Sequence, residues 1–183
     1  MGNANCVIRN QTGYPIIVRT YNHFDVVNVV PYGAWLIDDG DERTVAAMPD
    51  HRGLKVSVEG NGVIIPAGVA IQGDKVTVTD LTGGAPVSQA VTPGMSHCIV
   101  RNDSPSAIMV KTYIHGEILN LIAAATFLVE VGTAKRIECL YSSRGIKLKG
   151  ENGKGVSSAV RLVANGETLV VSGPIVDGKP LGD

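Results

Sequence analysis

Polar and apolar residues alternate with a period of two in several short segments of the chain. Residues 55–59 read Lys-Val-Ser-Val-Glu, and residues 75–79 read Lys-Val-Thr-Val-Thr. Successive side chains of a β-strand point to opposite faces, so this alternation is typical of a strand with one buried face. Turn-forming pairs such as Asn152-Gly153 and Asn165-Gly166 separate the segments. The pattern predicts an antiparallel all-β meander or Greek key.

The pattern occurs twice at a constant offset, 98 − 6 = 92 residues. The pentapeptide CVIRN at Cys6 recurs as CIVRN at Cys98, and residues 16–21 (IIVRTY) recur as residues 108–113 (IMVKTY). The same offset relates Val78 to Val170, far along each half. A period of this length matches a small β-domain and is too long for a solenoid repeat. The sequence predicts two tandem homologous antiparallel β-sandwich or Greek-key modules, related by pseudo-two-fold symmetry.

The predicted boundaries follow the repeat and the composition between its copies. Residues 1–85 form the first β module, residues 86–97 a linker, and residues 98–183 the second β module. Gly, Pro and Thr are frequent from residue 80 to residue 97, which is typical of a connecting segment.

Residues 117–131 (EILNLIAAATFLVEV) taken alone favour a helix, because alanine and leucine are strong helix formers. Their counterparts, residues 25–39 (DVVNVVPYGAWLIDD), are rich in β-branched residues and contain Pro31, which would break a helix. If the two copies share a fold, both segments are a strand, a bend and a second strand. Trp35 and Phe127 then occupy one position, as do Leu36 and Leu128, and all four are predicted core residues.

The composition narrows the classes of function. The chain has 183 residues, 44% hydrophobic and 18% charged, which is ordinary for a packed protein. Its net charge of −1 lacks the basic excess of a nucleic-acid-binding protein. No nucleophile, zinc-protease, phosphate-loop or dinucleotide motif is present in the sequence, so we predict no enzymatic activity and no cofactor.

The cysteine content and the chain start indicate a cytoplasmic protein. Cys6, Cys98 and Cys139 form an odd, widely spaced set, which indicates a reducing compartment. Cys6 and Cys98 begin the first strand of each copy and are predicted to be buried packing residues, with a disulfide between them as the alternative. The first residues lack the basic and apolar regions of a signal peptide, although unconventional secretion is left open. The longest apolar run, residues 118–131, is too short for a transmembrane segment.

Two local motifs have competing interpretations. Asn10 and Asn102 stand in glycosylation sequons at equivalent positions, but without a signal peptide they are better explained as side chains that cap hairpin turns. Carboxylates around Gly40 could bind calcium. Most of this charge is absent from residues 130–134 in the second copy, so we predict a solvated turn and no metal. The candidate metal ligands are Asp38, Asp39, Asp41 and Glu42.

Polar residues that recur in both copies are the candidate ligand-binding residues. Arginine and tyrosine combine broad contact area with directed donors, and two equivalent clusters would bind bivalently. The competing interpretation is that the tyrosines seal the core and the Arg-Gly pairs mark turns. The set comprises Tyr21, His23, Arg52 and Lys55 in the first copy and Tyr113, His115, Arg144 and Lys147 in the second.

Residues 10–40 (NQTGYPIIVRTYNHFDVVNVVPYGAWLIDDG) resemble the opening β-strands of the actinoporin-like cytolysin and fungal-lectin fold. The resemblance implies a β-sandwich and, as one alternative, a membrane-associated cytolysin-like protein. The chain has two Phe, one Trp and five Tyr, which do not supply the aromatic belt that membrane binding of that kind uses.

Together these features predict a non-catalytic binding protein, lectin-like or adaptor-like, with equivalent recognition surfaces on its two modules. Its ligand would be a glycan or another protein. The alternative is a structural protein that self-assembles into homo-oligomers, because exposed strand edges are natural templates for pairing.

Overall fold

The computed structural model describes residues 4–88 and 91–182. Throughout these residues the chain forms strands, turns and bends and no helix, which confirms the all-β prediction. The chain divides into two compact units, Met1–Val87 and Ser88–Asp183. The middle of the predicted linker, Gln89 and Ala90, lies outside the described residues.

The strands of the first unit are β1 (Ala4–Asn10), β2 (Ile16–Tyr21), β3 (Gly33–Ile37), β4 (Glu42–Ala47), β5 (Leu54–Gly60), β6 (Val63–Ala70), β7 (Lys75–Val78) and β8 (Ala85–Pro86). They form two sheets, with strand orders β4-β1-β7 and β3-β2-β5-β6-β8.

The strands of the second unit are β9 (Met95–Asn102), β10 (Ile108–Tyr113), β11 (Ala125–Val129), β12 (Ala134–Leu140), β13 (Ile146–Glu151), β14 (Arg161–Val163) and β15 (Thr168–Val171). They also form two sheets, with strand orders β12-β9-β15 and β11-β10-β13-β14.

One strand pair in each unit is parallel, so the expectation of purely antiparallel pairing is wrong there. In the first unit Val7 of β1 lies opposite Lys75 of β7, and in the second Ile99 of β9 lies opposite Thr168 of β15. Alternation of side chains has the same period in parallel and antiparallel ladders. The sequence pattern therefore could not distinguish them.

Each unit has its own hydrophobic core, to which both of its sheets contribute. In the first unit Ile8 of β1 and Val45 of β4 join Ile16 of β2 in one buried cluster. In the second, Cys98 of β9 and Ile108 of β10 belong to one cluster. Of the predicted core residues, Leu36 and Leu128 in the second sheet of each unit are buried. Trp35 and Phe127 are only partly buried and pack against the clusters.

The two sequon asparagines are buried and hold a turn against a neighbouring strand. The amide nitrogen of Asn10 donates to the carbonyl oxygens of Tyr14 and Ile37, and its side-chain oxygen accepts from Thr12. Asn102 makes the same bonds, to Ser106 and Val129 among others. Both side chains are fully buried, which agrees with the predicted capping role.

The prediction of strand, bend and strand for residues 25–39 and 117–131 is wrong in its first part. Residues 25–32 and 117–124 form loops, and only β3 and β11 are strands. At the centre of each loop an asparagine, Asn28 or Asn120, has a positive φ of 53° or 52°. This left-handed conformation interrupts an extended chain.

All three cysteines are buried free thiols, so the alternative of a disulfide between Cys6 and Cys98 is wrong. Burial raises the pKa of the Cys98 thiol to about 11. Burial also raises the pKa of the Cys6 thiol, with a smaller contribution from the negative charge of Asp74. The thiols act as small core side chains.

Candidate functional site: two apolar loops

The loop after the second strand of each unit presents large apolar side chains to solvent. Loop A comprises residues 22–32, between β2 and β3, and loop B comprises residues 114–124, between β10 and β11. Four aliphatic side chains at corresponding positions of each loop are between 66% and 86% exposed. Exposed apolar side chains gathered in this way mark interaction sites. They are Val26, Val27, Val29 and Val30 in loop A, and Ile118, Leu119, Leu121 and Ile122 in loop B.

A carboxylate inside each loop fixes the backbone of its tip. In loop A, Oδ2 of Asp25 accepts hydrogen bonds from the backbone amides of Val29 at 3.0 Å and Val30 at 3.1 Å. In loop B, Oε1 of Glu117 accepts from the corresponding amides of Leu121 and Ile122, at 2.6 and 2.8 Å. Hydrogen bonds to a carboxylate are stronger than those between neutral groups, so these bonds stabilise the conformation of each loop tip.

A lysine on a neighbouring strand donates two hydrogen bonds to each loop. The ammonium of Lys55 on β5 donates to the carbonyl oxygen of Asp25, at 2.7 Å, and to Oδ1 of Asn28. Lys147 on β13 makes the same two bonds in loop B, 2.8 Å to the carbonyl oxygen of Glu117 and 2.6 Å to Oδ1 of Asn120. Both lysines were predicted ligand-binding residues, and both are anchored inside their own unit.

The two predicted histidines join each loop to a neighbouring turn. Nε2 of His23 donates to the carbonyl oxygen of Gly53 at 2.7 Å, and Nε2 of His115 donates to that of Gly145 at 2.9 Å. The glycines have φ values of 89° and 99°, a region that favours glycine. The turn that carries the predicted arginines therefore lies against the base of each loop.

The predicted tyrosines are buried beside these contacts. The hydroxyl of Tyr21 hydrogen-bonds with the Ser57 hydroxyl at 3.2 Å, and Tyr113 is 2% exposed. Burial raises the pKa of Tyr113 to about 12, with a smaller contribution from the carboxylates of Glu151 and Glu117. These side chains have little surface to offer a ligand.

The two predicted arginines are exposed but differ in their partners. Arg52 makes a two-pronged ion pair with Asp50, with both bonds at 2.9 Å, and these bonds hold the pKa of Asp50 well below its usual range. Ser142 takes the place of Asp50 in the second unit, and its hydroxyl oxygen accepts a hydrogen bond from the backbone amide of Arg144 at 3.2 Å. Within residues 4–88 and 91–182 the Arg144 guanidinium contacts no carboxylate.

The candidate calcium ligands serve other contacts. Asp39 accepts a hydrogen bond from the Gly13 amide at 2.8 Å, and Glu42 pairs with Lys75 at 2.7 Å. In the part of the chain that the structure describes, no group of three or more acidic, histidine or cysteine side chains is arranged to hold a metal ion. Asp38, Asp39, Asp41 and Glu42 remain side chains of a surface turn and the strand after it.

The predicted ligand-binding residues thus lie around the loops, whereas the exposed apolar residues lie in segments that the sequence pattern predicts to be strands. A usable signal was present in the sequence. Both loops read acid, two apolar residues, asparagine and two apolar residues, in residues 25–30 and 117–122. Apolar pairs flanking an asparagine do not alternate, and asparagine is one of the few non-glycine residues that favours a positive φ.

Comparison of the chain with protein-family models and with curated proteins finds no match. None of the described residues belongs to a helix long and apolar enough to cross a membrane.

Proposed function

We propose that this chain is a non-catalytic binding protein that uses loops A and B as two equivalent recognition elements. We further propose that each unit is a β-sandwich and that tandem duplication of one ancestral unit produced both. The ligand-binding residues are then the exposed aliphatic side chains of the loops, and the histidines and lysines singled out in the sequence hold those loops in place.

The observation that carries the proposal is an apolar tip held by polar bonds in both loops. Burying one valine or leucine side chain contributes about 1.5–3 kcal/mol of favourable free energy. The aliphatic side chains of both loops remain exposed to solvent, so this free energy is available for binding a partner. At the same time an acid, an asparagine and a lysine fix each loop, in positions 92 residues apart. Ordering a loop before contact lowers the entropy cost of binding, which is the usual benefit of such bracing.

A glycan site at the polar cluster has less support. Tyr21 and Tyr113 are buried, so their rings are not available for stacking on a sugar. Nε2 of His23 and the ammonium of Lys55 donate to backbone carbonyls of the same unit. Arg52 already pairs with Asp50. A glycan would have to compete with each of these bonds.

Retention on an octyl-agarose column tests whether the loops are the recognition elements. We expect wild-type protein to be retained and the double variant Val27→Asp/Leu119→Asp to elute early, because the substitutions place charges at the apolar tips. Val131→Asp is the matched control. Val131 is also exposed and apolar, but it follows the far end of β11, about 17 Å of strand from loop B.

Far-UV circular dichroism and the urea midpoint should be unchanged in all three proteins, because the substituted side chains lie outside the cores. Early elution of Val131→Asp alone, or equal retention of the double variant and wild type, would show that the loops are not the apolar binding surface.

A further inference from the structure

We infer that the partner of loops A and B is the surface of an anionic lipid bilayer, into which their aliphatic side chains insert. The inference rests on the proposed function, since it names the partner of the same loops. Three features of the loops favour a bilayer over a protein partner: their backbone hydrogen bonds, the variation of their side chains and the charge beside loop B.

Three backbone amides of each loop, two at the tip and one just before the next strand, have hydrogen-bond partners within the same unit. In loop A the amides of Val29 and Val30 bond to Asp25, and the amide of Tyr32 donates to the carbonyl oxygen of Thr20 at 2.7 Å. In loop B the amide of Ala124 makes the same bond to Thr112, also at 2.7 Å. The hydrocarbon region of a bilayer has no water to satisfy free amides, so a segment that enters it must bring its own partners. A protein groove can provide such partners itself.

The four apolar positions of the two loops preserve hydrophobicity without preserving shape. Every valine of loop A is replaced in loop B by a larger isoleucine or leucine. A close-packed protein pocket distinguishes side chains that differ by one methylene group. Fluid acyl chains respond to the apolar area alone, so this pattern fits a lipid partner.

The charge beside loop B matches an anionic headgroup layer. Arg144 precedes Gly145, whose carbonyl oxygen binds His115 at the base of the loop. Its guanidinium is exposed and, among the described residues, has no acidic partner. A guanidinium binds phosphate oxygens with two parallel hydrogen bonds, and a basic residue near an anionic surface strengthens attachment. Next to loop A the corresponding Arg52 is neutralised by Asp50. Anionic lipid should therefore favour loop B over loop A.

Co-sedimentation with sucrose-loaded vesicles tests the inference on the full chain. One set of vesicles is phosphatidylcholine, and a second mixes phosphatidylcholine with phosphatidylglycerol. We expect wild-type protein to pellet with both sets and more strongly with the second. The double variant Val27→Asp/Leu119→Asp should lose about tenfold or more of its binding to both. The control Val131→Asp should bind as wild type does.

Arg144→Ala separates the charge contribution from the apolar contribution. It should lower binding to the phosphatidylglycerol vesicles several-fold, bring it to the level seen with phosphatidylcholine, and leave the phosphatidylcholine binding unchanged. Arg52→Ala serves as its matched control and should not remove the preference for phosphatidylglycerol. Equal loss in both arginine variants would overturn the assignment of the charge to loop B.

Failure of this inference can be told apart from failure of the proposed function. Protein that is retained on octyl-agarose through its loops but stays in solution with both vesicle sets would overturn the bilayer partner alone. Protein that forms loop-dependent oligomers without vesicles and does not pellet with them would assign the loops to a second copy of the chain. Absence of both retention and vesicle binding would overturn both proposals.

Discussion

Single side chains hold turns of this protein, and the buried Asn10 and Asn102 each make four side-chain hydrogen bonds. Asn102 donates to two carbonyl oxygens, and its side-chain oxygen accepts from the amide and hydroxyl of Ser104. Three of these four bonds are buried, the bond to Ser106 is partly buried, and Asn102 itself is fully buried. Loss of the side chain would leave buried groups without partners, which costs more than the bonds themselves contribute.

We therefore expect Asn102→Ala to lower the free energy of unfolding of the second unit by about 2–4 kcal/mol. Urea denaturation followed by circular dichroism measures the change. Asp103→Ala, an exposed neighbour, should change stability by less than about 1 kcal/mol. Equal effects of the two substitutions would contradict the capping role.

Two glycines of the second unit separate backbone strain from steric clash. A Cβ at Gly145 would lie 2.2 Å from the carbonyl oxygen of Val163, whereas a Cβ at Gly166 would meet nothing within 4 Å. Both residues have a positive φ, 99° and 80°. An alanine would adopt an unfavourable positive φ at both positions, but its Cβ would clash with a neighbouring atom only at position 145.

Gly166→Ala should cost about 1–2 kcal/mol of stability, from the backbone penalty alone. Gly145→Ala should cost about 1–3 kcal/mol more, because the added methyl group meets a backbone atom that cannot move aside. Thermal denaturation of the two variants gives the comparison. A Gly145 variant as stable as the Gly166 variant would refute the close approach.

At the scale of elements, the loops between β2 and β3 and between β10 and β11 are ordered by polar bonds and not by burial. The carboxylate of Glu117 replaces the strand partner that the amides of Leu121 and Ile122 would otherwise need. The sequence pattern led to strands here because β-branched and apolar residues favour them. The hydrogen bonds to Asp25 and Glu117 override this preference locally.

Glu117→Ala should release the tip of loop B. We expect hydrogen exchange at the amides of Leu121 and Ile122 to accelerate by roughly tenfold or more, since each loses a charge-assisted bond. The equivalent amides of loop A, Val29 and Val30, keep their bonds to Asp25 and provide an internal control. Exchange measured by NMR that stays unchanged in loop B would show that Glu117 does not hold it.

At the scale of the whole molecule, the chain consists of two compact units with separate cores. The buried cluster of the first contains Ile8 and Leu54, and that of the second contains Val100 and Leu148. Both units place a three-stranded sheet with one parallel pair beside a larger sheet formed by antiparallel pairs. A unit with its own core and its own sheets has what a domain needs to fold alone.

We expect fragments 1–87 and 88–183 to fold separately and to unfold cooperatively in urea. Each should show the circular dichroism spectrum of a β protein, and their summed spectra should match that of the full chain. A fragment that stays unfolded alone and folds only when mixed with the other would contradict independent cores.

The sequence by itself determined the all-β class, the positions of the turns and the core leucines Leu36 and Leu128. Each of these depends on local alternation or turn chemistry, which neighbouring residues encode directly. The offset of 92 residues also identified matching side chains, and the common origin of the two units stays a prediction.

Only the tertiary structure decided that one strand pair per unit is parallel, that Lys55 and Lys147 donate hydrogen bonds to loops A and B, and that the apolar segments are exposed. These outcomes depend on hydrogen bonds between residues far apart in the chain, such as the 30-residue separation between Lys147 and Glu117. The sequence alone does not distinguish a buried hydrophobic residue from an exposed one. Its exposure depends on which distant groups form hydrogen bonds with the backbone around it, as Lys147 does in loop B.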